Sequence, residues 1–457
     1  MRTTIARRVA LSGTAATLLF LAGCGGGGGE SNRTTATPTP VASGTPTPGR
    51  IVEQPNWSVQ TPSYQQPQKK WTFLVYMNGA NDLEEFGSLN LNQMEQVGSN
   101  DDINIVVQFK RIQGRYDSSN GDWSGSRRYY VTKDTNTNTV TSLQLASKSD
   151  ADAGLWQTMQ EFVQWGLETY PADHYALVVW NHGAGWRSVP LNRQGKVTRG
   201  VSYDDTTDHH IDTIDIPKAI DMGNNRKWDL LLWDSSLMQM AEVDYEVRDK
   251  TQYMTGSEES PPGEGYPYQL FLADLAANPN MSGRDLGLSV INRTLESYGS
   301  DSSITQSLID ASKVGALPDA FNTLGSALIA AQSTYGDAIT LARESAENYE
   351  YPQNVDTLDF VRLLTTPLPG SFNPPVNTPA VQQAAANLRT AVNACIVSSV
   401  HGSGHPRSNG LAVFLPSPTQ YRRIDIDQAN GFGQRYSEIS FARAAPNWQK
   451  FLANGPQ

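Results

Sequence analysis

The chain has 457 residues, and its 46 Asp and Glu outweigh 35 Lys and Arg for a formal net charge of −11. That balance, with an isoelectric point near 5.1, argues against a nucleic acid as partner and agrees with a soluble, exported body. The only cysteines are Cys24 and Cys395, so a multi-cysteine metal site is excluded.

The first stretch is an address rather than a fold element. Arg2, Arg7 and Arg8 precede an apolar run from Val9 to Leu21, which ends in Leu21-Ala22-Gly23-Cys24. This pattern predicts a lipoprotein signal peptide over 1–23, cleavage before Cys24, and lipidation of the Cys24 thiol. Lipid anchors a body to a membrane without spanning it. No other stretch is long and apolar enough to span. Gly25 follows Cys24 where an aspartate often retains lipoproteins at the inner membrane, which favours the outer membrane or cell surface of a Gram-negative source. Five glycines (Gly25 to Gly29) and a Thr/Pro tract then predict a tether over 24–68.

The body is expected over 69–457, as a core over 69–268 and a helical subdomain over 269–457. Trp71–Tyr76 and Ile103–Phe109 read as buried strands, with a helix between them that Asn81 or Asp82 caps. Tyr129–Val131 and Thr139–Thr141 read as a hairpin. A helix over Leu155–Thr169 leads into the strand His174–Trp180, which ends in Asn181-His182-Gly183. The stretch from Trp186 to Gly200 reads as a basic loop. It precedes a carboxylate-dense segment (Asp204, Asp205, Asp208, Asp212, Asp215) that contains His209 and His210. Such density could hold Ca²⁺, but no EF-hand spacing occurs, and a solvated charged surface is the better reading.

Trp228–Asp234 is the next buried strand, and it stops at Asp234-Ser235-Ser236 before a helical pattern. Small polar residues between a strand and a helix lie at the carboxyl edge of a sheet, where open α/β sheets place their chemistry. Ser235 alone reads equally as a helix cap. His182 and Ser236 at the ends of neighbouring strands would supply a base and a hydroxyl nucleophile. After Tyr268 helical patterns dominate, with a late strand at Leu411–Pro416. Cys395 sits at a helix end or strand start as a buried thiol, and His401 and His405 read as loop residues.

A more specific pattern runs from Trp71 to Tyr268. His182-Gly183 after one strand, and Asp234-Ser235-Ser236-Leu237-Met238 after the next, resemble the clostripain family of cysteine peptidases, relatives of caspases and gingipains. Asn81-Asp82-Leu83-Glu84, Gly256-Ser257-Glu258-Glu259 and Pro262-Gly263-Glu264-Gly265-Tyr266 follow the same pattern. The resemblance implies a caspase-like α/β/α sandwich with a mostly parallel central sheet. It implies His182 as acid/base, Gly183 as oxyanion donor, and Ser236 in the slot where the family carries its nucleophilic cysteine. Asp234 would form the base of a pocket for Arg or Lys, and the loop holding Glu258 and Glu259 would line the substrate cleft. Relatives are often cut between the His and Cys segments, which points to residues 187–199, and some depend on calcium.

The expected function is therefore an Arg/Lys-directed, lipid-anchored endopeptidase acting on peptides or proteins. The alternative is a pseudopeptidase that binds basic segments without cleaving them. Asp204, Asp205 and Glu258 are the carboxylates considered as orienters of His182.

Overall fold

In a computed structural model of the chain, the described residues are 49–189, 198–300, 302–367, 374–429 and 434–456. The segments expected as signal peptide and tether, with Cys24, lie outside them up to residue 48, as do residues 190–197 of the basic segment. Residues 49–68, expected as tether, belong to the body. Val52, Gln54 and Trp57 are buried, and the Arg128 guanidinium lies 4.0 Å from the Trp57 ring centre. An anchored aromatic and its cation hold this stretch to the body.

The strands in chain order are β1 (Ser58–Val59), β2 (Lys69–Gly79), β3 (Ile103–Arg111), β4 (Gly125–Tyr130), β5 (Leu143–Lys148), β6 (Ala172–Trp180), β7 (Gly183–Val189), β8 (Thr198–Asp204), β9 (His209–Ile211), β10 (Trp228–Asp234), β11 (Thr251–Gly256), β12 (Thr305–Asp310), β13 (Asn354–Asp356), β14 (Ile396–His401) and β15 (Ala412–Phe414). The main sheet runs β1-β5-β4-β3-β2-β6-β10-β11-β12-β14. Its centre, β3-β2-β6-β10-β11, is parallel, and both wings are antiparallel. The fold is the caspase-like α/β sandwich. The wing hairpin is displaced from the expected one: β4 pairs β5, while Thr139–Thr141 stays outside the strands.

Helices cover both faces: α1 (Glu84–Glu95), α2 (Trp156–Thr169), α3 (Ile216–Ala219), α4 (Ala241–Val247), α5 (Tyr268–Ala277) and α6 (Gly283–Tyr298). Side chains of a strand alternate between faces. Phe73, Val75 and Met77 accordingly join Leu91 of α1, Phe271 of α5 and Val290 of α6. Leu74 and Tyr76 join Phe162 of α2 and Val243 of α4 on the other face. The same split divides Leu230 and Leu232 from Leu231 and Trp233. Each such side chain, fully removed from water, contributes about 1.5–3 kcal/mol. The parallel strands read as unbroken apolar runs because both faces are covered.

The C-terminal half adds α7 (Ala311–Val314), α8 (Leu317–Ser345), α9 (Thr357–Thr365), α10 (Pro379–Cys395), α11 (Pro418–Ala429), α12 (Ser440–Ala444) and α13 (Pro446–Asn454). The long helix α8 is kinked at Tyr335. Leu328, Leu388 and Trp448 share one core cluster with Val179 and Leu231 of the sheet, so this half is packed into the same body. The strands it lends to the main sheet are β12 and β14, whereas the anticipated late strand, β15, pairs β13 in a separate ribbon. The segment expected as a loop from Trp186 to Gly200 contributes β7 and β8 to a three-stranded sheet with β9. Among the described residues no helix is long and apolar enough to cross a membrane.

Candidate active site

Three adjacent parallel strands end level with one another. Met77 of β2 pairs Trp180 of β6, and Trp180 pairs Asp234 of β10. The residues just beyond these ends are Asp82, His182 and Ser236. Local geometry keeps them there. Asn181 donates its backbone N–H to the Asp234 carbonyl (3.1 Å), and its side-chain oxygen accepts from the Tyr203 N–H (2.8 Å). The Asn78 and Asn81 amides both donate to the Tyr203 carbonyl. These bonds tie the ends of β2, β6 and β8 together, so His182 leaves a rigid base.

His182 Nε2 lies 2.6 Å from Asp82 Oδ1. With Nε2–H donating to the carboxylate, Nδ1 is left as the basic nitrogen. Asp82 is the carboxylate in contact with His182, and sequence reasoning did not name it as a partner. The expectation that Asn81 or Asp82 caps α1 is not met: the N-cap is Leu83, without a side-chain cap bond, and Asn81 accepts the Leu83 N–H in the preceding turn. Asp204 accepts the Ala153 N–H and lies 3.6 Å from Lys110, and Glu258 is buried against Ser408.

The two serines are told apart by burial. Ser235 is buried and donates to the Val179 carbonyl at 2.7 Å, which fastens β10 to β6. It does not cap α4, whose N-cap is Met240. Ser236 is half-buried in the turn that follows. Leu237, the next residue, is buried with φ +64°, a left-handed conformation that costs a non-glycine residue roughly 1–3 kcal/mol. A strained turn after a strand lifts the preceding side chain out of the sheet, as at a nucleophile elbow. Gly183 lies against this turn: a Cβ there would sit 2.4 Å from the Ser236 carbonyl oxygen. Only glycine lets the backbone after His182 come so near the nucleophile turn.

Asp234 is buried at the root of the same turn. Tyr268 donates to Oδ2 at 2.6 Å and the Tyr266 N–H to Oδ1 at 3.3 Å. Burial pushes this carboxyl up to about 7. Gly265, at φ +63°, lies so close that a Cβ would be 2.7 Å from Oδ1. The chain from β11 to α5 therefore roofs Asp234.

Glu258 and Glu259, expected to line the substrate cleft, are both buried, and their carboxylates are engaged within the protein. Glu258 is 1% exposed, accepts from Ser408, and is pushed up to about 7 by burial and the Asp356 charge. Glu259 accepts the Ser260 and Glu350 N–H groups. The C-terminal half supplies Ser408 to Glu258 and the Glu350 N–H to Glu259. Among the described residues no group of three or more His, Cys, Asp or Glu is disposed to hold a metal ion, so the calcium expectation finds no ligand set there. Cys395 ends α10, with burial pushing its thiol up to about 12.

The sequence profile of the clostripain family (Peptidase_C11) matches residues 75–453. The chain belongs to the clostripain family. Clostripain from Hathewaya histolytica is 28% identical over 207 residues, 42% of this chain; the matched part spans 38% of clostripain's own length. A secreted C11 cysteine protease from Bacteroides thetaiotaomicron, solved with an irreversible peptide inhibitor, has a TM-score of 0.57 at 19% identity and covers 82% of this chain and 99% of its own. An inactive zymogen C11 protease from Parabacteroides distasonis gives 0.58 at 17% identity, with 83% and 99% covered. These likenesses establish the fold.

Proposed function

We propose that this member of the clostripain family is an Arg/Lys-directed endopeptidase whose nucleophile is Ser236, carried on an exported lipoprotein anchored through Cys24. The observation that carries the reading is the 2.6 Å contact between His182 Nε2 and Asp82 Oδ1. A thiol is partly ionised at neutral pH, whereas a serine hydroxyl needs an oriented base. Asp82 supplies that orientation.

In the proposed reaction, Ser236 Oγ attacks the peptide carbonyl as His182 Nδ1 takes its proton. Asp82 holds the imidazolium that forms. The Gly183 and Ser236 N–H groups receive the oxyanion. His182 then protonates the leaving amine, and water releases the acyl group by the reverse sequence. Asp234 pairs with the Arg or Lys before the cut through charge-assisted hydrogen bonds. With its carboxyl near 7, an arriving cation favours the ionised form.

The second reading, a pseudopeptidase for basic segments, draws support from Asp234, 8% exposed and already engaged by Tyr268 and Tyr266. Labelling with an Arg-bearing phosphonate ester separates the two. The peptidase reading expects one adduct, on Ser236, absent from His182→Ala. An unlabelled protein that still binds Arg peptides supports the binder.

A further inference from the structure

The segment that roofs Asp234 is held at both ends. Tyr266 and Tyr268 fix its far end on the Asp234 carboxyl. Its near end carries Glu258 and Glu259, and one stretch from the C-terminal half grips both. His405 places Nε2 3.2 Å from Glu259 Oε2 and Nδ1 3.1 Å from Glu347 Oε1. Ser408 donates to Glu258 Oε1 at 3.1 Å and bonds the Tyr349 hydroxyl at 2.7 Å.

An imidazole donates from both nitrogens only as the imidazolium. Two carboxylates, one on each side, hold it in that form; the hydrogen bond to Glu259 is the chief cause of its upward shift, opposed by burial and reinforced by Glu347. The surrounding charges complete the clamp. Arg407 Nε lies 3.5 Å from Glu347 Oε2 and 3.1 Å from Asp359 Oδ2, and Asp359 is also held by Arg362. Tyr349 packs 5.4 Å from the His405 ring, and its hydroxyl lies 3.4 Å from Asp356 Oδ2, a carboxylate whose charge bears on Glu258. Without its proton, one nitrogen of His405 turns a lone pair toward a carboxylate, and one of the two bridges is lost.

We propose that His405 is a positioning residue for the Asp234 pocket: as a cation bridging Glu259 and Glu347 it holds the segment 257–266 in place, and loss of its proton releases the pocket wall and weakens the hold on a cationic side chain. The sign follows from linkage. The imidazolium's contribution is fully present at low pH and is lost as pH rises through its raised pKa. This inference rests on the proposal that Asp234 selects a cation, and its test separates the two.

The probe is benzamidine, titrated calorimetrically into the full chain between pH 6 and 9.5. Its affinity is expected to rise as Asp234 ionises and then to fall about tenfold on the alkaline side, the scale of one charge-assisted hydrogen bond. The midpoint of the fall should match the His405 titration read by NMR of ¹³C-labelled histidine. His405→Arg, which keeps the cation, should remove the alkaline fall, and His405→Gln should bind weakly throughout. An alkaline fall unchanged in His405→Arg, or no fall in the wild type, overturns the proposal. If Asp234→Asn binds benzamidine as the wild type does, the pocket reading fails on its own. Hydrogen exchange then decides about His405: protection of 257–266 should drop as His405 loses its proton, and protection that ignores this titration overturns the positioning role.

Discussion

Replacing Asp82 by Asn removes the carboxylate from His182 Nε2 while keeping side-chain volume. The pair is half-exposed, with 38% of the His182 side chain and 55% of the Asp82 side chain accessible. Exposed ion pairs are worth at most about 1 kcal/mol to stability, so the melting temperature should move by only a few degrees. Catalysis should suffer more. General acid–base catalysis contributes roughly 10²- to 10⁴-fold. Solvent partly replaces a lost partner at an exposed site, which places the loss near the lower end, about 10²-fold in kcat/KM or ~2.7 kcal/mol of barrier. In Ser236→Cys the same change should cost about tenfold or less, because part of the thiol is already ionised without a base. The assay is hydrolysis of a fluorogenic Arg peptide by the four proteins of this cycle. Equal losses in the serine and cysteine backgrounds, or no loss in the serine one, would refute the idea that Asp82 works through His182 to activate a hydroxyl.

Gly183→Ala should cut kcat by more than 10²-fold at an overpacking cost of about 1–3 kcal/mol, since its Cβ would fall 2.4 Å from the Ser236 carbonyl; kinetics and denaturant melts read both. Tyr268→Phe removes a donor that steadies the ionised Asp234, so the acid limb of kcat/KM for Arg substrates should move to higher pH. Asp234, Glu242 and Glu258 are pushed up to about 7 and Asp356 to about 6, all chiefly by burial. The native state then holds more protons than the unfolded chain between the ordinary carboxylate range and neutrality, so stability falls as pH rises through that window. Calorimetry should find a higher melting temperature at pH 5 than at pH 8; the reverse order would count against these buried carboxyls. Cys395 should resist iodoacetamide in the native state, leaving wild-type activity intact, whereas Ser236→Cys should be inactivated.

The sheet edge was legible because its strands are unbroken apolar runs that stop at polar residues. Leu230–Trp233 before Asp234, and Tyr175–Trp180 before His182, announced both the fold and the adjacency of the two strand ends that carry His182 and Ser236. What stayed hidden was chosen by tertiary contact. Asp82 sits among helix-start signals, and nothing in its neighbours points to a histidine far along the chain. His405 looked like a loop residue because its two carboxylates come from the turn after β11 and the stretch just after α8. Glu258 and Glu259 looked accessible in a Pro/Gly loop, yet the C-terminal half brings Ser408 and His405 down on them. The antiparallel wing strand β14 carries Ser398 and Ser399 in place of apolar residues, which masked it.

The most direct measurement is hydrolysis of fluorogenic Arg and Lys peptides by protein beginning at Gly49, beside Ser236→Ala, Ser236→Cys and His182→Ala. A working Ser236–His182–Asp82 site predicts cleavage by the wild type and by Ser236→Cys, with both alanine variants silent. Cleavage by Ser236→Cys alone would contradict the serine nucleophile and leave a cleft that binds basic segments without cutting them.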